Sequence, residues 1–229
     1  MDWKSEVALI TGASHGLGRA LARELARRGA RVVLTARTRA PLDAVVEEIR
    51  VEGGWATAIA GDAADIRSVH PTLGQAAALA GPVTLLVNNA STLGAVPLRP
   101  LLETECEDLG AVLETNLVGP FRFAKAVLGS MLVHGRGTIV NVSSDAATEA
   151  YPNWGAYSVS KAGLVHLTRI WAAELADSPV RFVSFDPGEM DTRMHADAIP
   201  DADRAALAKP EDVALRLVAL LERKESADA

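Results

Sequence analysis

Six short apolar runs recur along the chain: EVALIT (6–11), RVVLTA (31–36), WATAIA (55–60), VTLLVNN (83–89), GTIVNVS (137–143) and VRFVSF (180–185). Most are continuously apolar, not alternating, which is the pattern of strands covered on both faces. Such strands are parallel, and parallel neighbours need a long crossover, usually a helix. Helix-period segments fill the gaps: LGRALARELARRG, APLDAVVEEIRVEGG, IRSVHPTLGQAAALAG, a long stretch from Leu102 to Val133, and AGLVHLTRIWAAELA. Several stop at glycine, a common helix terminator. Strand and helix alternating six times predict the α/β class: a doubly wound parallel sheet of six strands, in one domain over 1–229. With 229 residues the chain can bury a core of that size. The last residues, KESADA, are expected to fray.

The first run leads into TGASHGLG (11–18) and then a helical segment. Gly12 suits a backbone turn closed to residues with side chains. Gly16 and Gly18 let the main chain approach a diphosphate and let the helix pack close on the sheet. Exposed N–H groups and the helix dipole then favour phosphate charge. A glycine turn alone can be merely structural, but this one follows a strand and opens a helix, as a nucleotide-binding turn requires. Ser14, His15 and Leu17 belong to the same turn.

The spacing is TGxxxGxG, not G-x-G-x-x-G, and further motifs follow in order. Asp62 and Ala63 come after the third run, and Asn88-Asn89-Ala90-Ser91 after the fourth. Asn116 lies in the long helical stretch, Ser144 after the fifth run, then Tyr157-x-x-x-Lys161, and Pro187-Gly188-x-x-x-Thr192 after the sixth. With these motifs nearly the whole chain resembles the short-chain dehydrogenases/reductases, a family with a Rossmann-type sheet. The resemblance implies a nicotinamide cofactor held by Gly12, Ser14, His15, Gly16, Leu17 and Gly18, with Asp62 and Ala63 at the adenine. Asn89 and Ala90 fall in the family's NNAG segment, where Ser91 replaces the glycine. Pro187, Gly188 and Thr192 would cap the nicotinamide, and Asn116, Ser144, Tyr157 and Lys161 would form the catalytic group.

A free phenol, with a pKa of about 10, is a poor acid or base near neutrality. A cation close by favours the phenolate and lowers that value, and Lys161 stands one helical turn on. The resemblance adds that this lysine holds the nicotinamide ribose hydroxyls. Tyr157 would give its proton to the developing alkoxide in carbonyl reduction, or take it back in alcohol oxidation. Ser144 would stabilise the same oxygen, and Asn116 would hold a water linking Lys161 to solvent. The rival reading is a nucleotide-binding regulator or scaffold that keeps this fold without catalysis.

NAD-specific members of the family close the second strand with an acidic residue. Here Ala36 stands there, followed by Arg37 and then Arg39, and His15 adds a base in the glycine turn. A guanidinium pairs with a 2′-phosphate that a carboxylate would repel. NADP(H) is therefore expected over NAD(H), with a small carbonyl or alcohol as substrate. Trp154, Tyr151, Glu149, Met190, Met194 and His195 are candidate pocket residues, under a short lid over 189–209.

Other classes recede. A net charge of −6 and a pI near 5.4 argue against nucleic acid as a partner. No stretch approaches the roughly 20 apolar residues of a membrane span. The five histidines show no metal-ligand spacing, so no metal is expected. Cys106, the only cysteine, reads as a packed side chain and suits a reducing compartment. The opening MDWKSEVALITG is too short an apolar run for a signal peptide, so a cytoplasmic protein is expected. The stripe Leu164, Leu167, Ile170, Trp171 and Leu175 marks a core or interface face. Many family members end in a seventh strand that takes part in tetramer assembly. The sequence after PEDVALRLVALLERKE contains none, so a homodimer through the long helix and the 161–176 helix is expected.

Overall fold

In the computed structural model, which describes residues 1–223, all six runs are strands. They are β1 (Val7–Thr11), β2 (Arg31–Ala36), β3 (Trp55–Ala60), β4 (Leu85–Asn88), β5 (Gly137–Val142) and β6 (Val180–Phe185). One sheet contains them in the order β3-β2-β1-β4-β5-β6, and every neighbouring pair is parallel. The fraying expected for KESADA lies outside the described residues.

Continuous apolar strands are explained by their two covered faces. Ala8 and Ile10 of β1 face a cluster with Leu21 and Leu25 of α1 (Gly16–Arg27), Leu42 and Ile49 of α2 (Arg39–Val51), and a C-terminal helix that brings Leu217 and Leu221. Leu9 of the same strand faces Val69 and Ala76 of α3 (Ile66–Ala80) with Phe123, Val127 and Met131 further along the chain. Each large apolar side chain withdrawn from water in these layers contributes about 1.5–3 kcal/mol before entropy is counted. Helices α1 and α3 stop where Gly29 and Gly81 take φ of 96° and 98°, values that L side chains rarely adopt.

Two helical expectations change. The stretch 102–133 is not one helix: a 3-10 turn at Leu101–Glu103 precedes α4 (Cys106–Leu113), a π turn over Glu114–Val118, and α5 (Gly119–Val133). In the π turn Gly119 N–H donates to Glu114 C=O, one residue beyond the α-helical partner. Cys106 begins α4 and is exposed, not packed. The helix carrying Tyr157 begins earlier than its apolar stripe: α6 is Gly155–Glu174, since its first turn faces the site and not the core. A short α7 (Arg193–Ala198) and α8 (Pro210–Glu222) complete the described chain.

Candidate active site

Because all six strands are parallel, their C-terminal ends share one edge of the sheet, and ligands of open α/β sheets bind outside that edge. Every predicted motif is there or faces it. The glycine turn leaves β1, Arg37 follows β2, Asp62 and Ala63 follow β3, Asn89 and Ala90 follow β4, Ser144 follows β5, and Pro187, Gly188 and Thr192 follow β6. Asn116 comes from the π turn, Tyr157 and Lys161 from α6.

The turn is tight enough to require its glycines. A Cβ at Gly18 would lie 2.5 Å from Gly12 C=O and 2.6 Å from Asn89 Nδ2, and one at Gly12 would lie 2.8 Å from Ala90 Cα. Asn89 fixes this shape: its Nδ2 donates to Thr11 C=O at 2.9 Å and to Gly12 C=O at 3.1 Å. Its backbone N–H and that of Ala90 both donate to Thr11 Oγ1 at 3.0 Å. Asn89 is thus a staple of the turn. His15 and Ser14 pair with each other, Nδ1 to Oγ 2.9 Å. A Cβ at Gly16 would meet Thr192 Cγ2 at 3.3 Å, so the segment after β6 borders the same cleft. Of the two arginines after β2, Arg39 donates to Asp43 at 2.7 Å, whereas Arg37 is exposed and makes no ion pair among the described residues.

The predicted catalytic residues are brought together. Tyr157 is buried and Lys161 more so, at 2% exposure. Lys161 Nζ donates to Val142 C=O at the end of β5, 2.7 Å away, and lies 5.5 Å from the Tyr157 ring centroid. Asn116 is fully buried. Its Nδ2 donates to Thr92 C=O at 2.8 Å and Ser160 Oγ at 3.0 Å, while its Oδ1 accepts from Thr92 N–H at 2.8 Å and Ser91 Oγ at 3.2 Å. Two donors and two acceptors exhaust a side-chain amide, so this side chain has no capacity left for the water expected of it. Ser160 in turn donates to Tyr157 C=O at 2.6 Å, which ties α6 to the π turn.

The electrostatics run against the sequence expectation. Burial pushes the Tyr157 phenol up to about 12, against a smaller lowering by the Ser144 and Ser91 hydroxyls, and the charges of Asp186 and Asp145 add to the rise. Burial also pushes the Lys161 ammonium down to about 8, opposed by Asp186. The lysine points at a strand carbonyl and desolvation dominates both groups, so Tyr157 is not an acidified phenol here.

Of the candidate pocket residues, Tyr151, Trp154, Met194 and His195 lie near the tyrosine or the lid, joined by Asp145, Leu93, Leu98 and Ala198, which the motifs did not point to. Ser144 Oγ donates to Asp145 Oδ1 at 2.9 Å, and Tyr151 Oη donates to Asp145 Oδ2 at 2.9 Å. The Trp154 ring stands edge-on to Tyr157 at 5.7 Å. Leu93, Leu98, Trp154, Met194 and Ala198 surround the tyrosine, and an open cleft beside it, enclosing only about 30 Å³, adds Arg99. His195 Nε2 lies 3.6 Å from Glu189 Oε1, over 189–209, which Met190 and Ala208 tie together at its base.

A buried tyrosine–lysine pair beside a tight glycine turn, on the carboxyl edge of a parallel sheet, is the arrangement of the dinucleotide-binding α/β oxidoreductases. Comparison with known proteins narrows the class: the family described as short chain dehydrogenase matches residues 6–203, and this chain belongs to it. It is 37% identical over 216 residues to a 3-oxoacyl acyl-carrier-protein reductase of Synechocystis sp., covering 92% of this chain and 86% of the relative. A metagenomic short-chain oxidoreductase solved in complex with NADP superposes with a TM-score of 0.85 at 32% identity, covering 100% of this chain and 96% of the other. An alcohol dehydrogenase from the archaeon Thermococcus sibiricus, complexed with 5-hydroxy-NADP, gives 0.87 at 30% identity, over 98% and 93% of the two chains.

Proposed function

We propose that this protein reduces a small apolar carbonyl compound to its alcohol with NADP(H), using Tyr157 as the proton donor. The observation that carries this reading is the gathering of buried Tyr157, Lys161 and Asn116, with half-buried Ser144 at the end of β5, beside a turn shaped for a dinucleotide. The collisions that any Cβ would meet at Gly12 and Gly18 fit a diphosphate cradled by backbone N–H groups at the start of α1. Gly12, Ser14, His15, Gly16, Leu17 and Gly18 would hold that diphosphate, Asp62 and Ala63 the adenine, and Pro187, Gly188 and Thr192 the nicotinamide. Lys161 would hold the nicotinamide ribose. When bound, the nicotinamide supplies the hydride.

The chain's own part is positional and protic. Tyr157, with its phenol at about 12, stays protonated at neutral pH, the form required of an acid that protonates a developing alkoxide. Ser144 stabilises the same oxygen, and Asn116 positions Tyr157 through Ser160 and carries no water on its side chain. Leu93, Leu98 and Trp154 at the phenol support an apolar substrate, and the named activity of the Synechocystis relative, a 3-oxoacyl reductase, is consistent with it.

Arg37, exposed after β2 and in no ion pair among the described residues, supports the NADP(H) preference. Arg37→Asp should raise KM for NADPH at least tenfold and spare NADH, the loss of one charge-assisted phosphate contact; an unchanged ratio would refute the assignment. The groove formed by Leu117, Val118 and Phe121 with Gly163, Leu167 and Ile170 supports a homodimer, which light scattering of Leu167→Glu tests. One domain over 1–229, with 189–209 as its lid, and a cytoplasmic location complete the reading. The decisive experiment is NADPH oxidation screened across carbonyl classes: Tyr157→Phe should abolish turnover while NADPH still binds, and surviving turnover would sink the mechanism.

A further inference from the structure

The loop that leaves β3 is held from outside by a side chain of α5. Within the loop, Asp62 N–H donates to Ser68 Oγ at 3.2 Å, and Ala64 N–H donates to Asp62 Oδ1 at 3.0 Å. These bonds are local and fix only the loop's own shape. Arg122 of α5 supplies a tie to the rest of the molecule: its Nη1 donates to Ala64 C=O at 2.9 Å. Ala64 is therefore gripped through both of its backbone polar groups, one by the Asp62 carboxylate and the other by a guanidinium.

The same Nη1 donates to Glu114 Oε2 at 2.8 Å, and Glu114 opens the π turn that carries Asn116. The Arg122 side chain is 23% exposed, so these bonds are partly shielded from water, where a charge-assisted bond is worth more than on the surface. A second contact joins the same two segments. A Cβ on Gly119, the first residue of α5, would collide with Ala63 C=O and would lie 3.2 Å from Glu114 C=O. The chain has glycine at the point where the loop rests on the helix, and arginine one turn further on to hold it there.

We infer that Arg122 is a positioning residue for the adenine half of the cofactor. It fixes the loop 62–64 against the π turn, so that Asp62 and Ala63 are presented to the base in one arrangement. The inference rests on the reading of Asp62 and Ala63 as the adenine contacts. Arg122 meets no reacting atom, and no bond is made or broken at it.

The test is equilibrium binding, by titration calorimetry, of NADP+ and of its adenine half, adenosine 2′,5′-bisphosphate. Wild type is compared with Arg122→Met, Arg122→Lys and Asp62→Ala. Methionine keeps the apolar stem and removes the guanidinium. Arg122→Met should weaken both probes by the same factor, at least about fivefold, as expected for one lost hydrogen bond. Lysine should recover most of that loss, because a single nitrogen makes both bonds of Arg122 and no planar fork is needed. Unchanged affinity for the adenine half in Arg122→Met, or weakening of NADP+ alone, overturns the inference. A lysine variant as weak as the methionine one also overturns it, since the two bonds would then not be what holds the loop. Should Arg122→Met not fold, Arg122→Gln serves the same comparison. Asp62→Ala should weaken the adenine half as well. If it does not, the assignment of the adenine to this loop fails, and the role of Arg122 falls with it.

Discussion

Replacing Lys161 by methionine should make the protein inactive and, near neutral pH, more stable. The ammonium is 2% exposed and is brought from an ordinary 10.5 to about 8 by desolvation, a change that corresponds to roughly 3 kcal/mol against the charged form. Below pH 8 the lysine is protonated in both the folded and unfolded chains, so its burial cost is fully present. Between about pH 8 and 10.5 the unfolded chain binds a proton that the folded chain has released, so stability rises with pH. From about pH 7 to about pH 9.5 this gain amounts to about 2 kcal/mol. Tyr157 acts in the opposite sense at higher pH: its raised value makes stability fall above about 10, which sets the upper limit of the window. Urea unfolding of wild type and Lys161→Met at the two pH values is the assay. The lost hydrogen bond to Val142 C=O is the same at both, so the difference between the proteins should move by about 2 kcal/mol toward wild type at the higher pH. A difference that does not change with pH would show that the amine is not desolvated, and the reasoning from burial would be wrong.

Gly18→Ala inserts a Cβ 2.5 Å from Gly12 C=O, and should cost about 1–3 kcal/mol while raising KM for NADPH more than that for the carbonyl; intact cofactor binding by steady-state kinetics would contradict the cradle. Asn116→Leu leaves both backbone groups of Thr92 unpaired, each costing about 1–3 kcal/mol. Its melting temperature should fall by roughly 4–20 °C, with kcat lower because Tyr157 loses its tie through Ser160; a melting temperature within a degree or so of wild type would mean that the amide does not hold the Thr92 backbone.

The fold was legible because both faces of the sheet are covered. Leu9 and Ile10 point to opposite clusters, so β1 is apolar throughout and cannot be read as a helix face. The edge on which the site forms was legible for the same reason: once strands are parallel, whatever follows each of them in sequence meets in space. The π turn at Asn116 was not, because one inserted residue changes no apolar spacing on the flanking helices. Nor was the ionisation of the pair at 157 and 161. Spacing along a helix says that two side chains are neighbours, whereas their proton affinities depend on how much water the surrounding elements leave them. Ser144 followed by Asp145 was visible as sequence, but its partnership with Tyr151 requires the loop between β5 and α6 to fold back.

The buried lysine also bears on why this site is more than a by-product of the fold. One turn further along α6, Leu164 is 1% exposed and fills the same layer without cost. A side chain chosen for stability at position 161 would resemble it, since an apolar replacement for a buried charge is often neutral or stabilising. Instead the chain carries an ammonium that weakens the fold near neutral pH, positions it with a strand carbonyl, and sets it beside a phenol that burial also disfavours in its charged form. A buried ammonium kept against the preference of its surroundings, one helical turn from a buried phenol, is hard to reconcile with a passive scaffold. The pair fits a site in which charge is needed only while a proton moves.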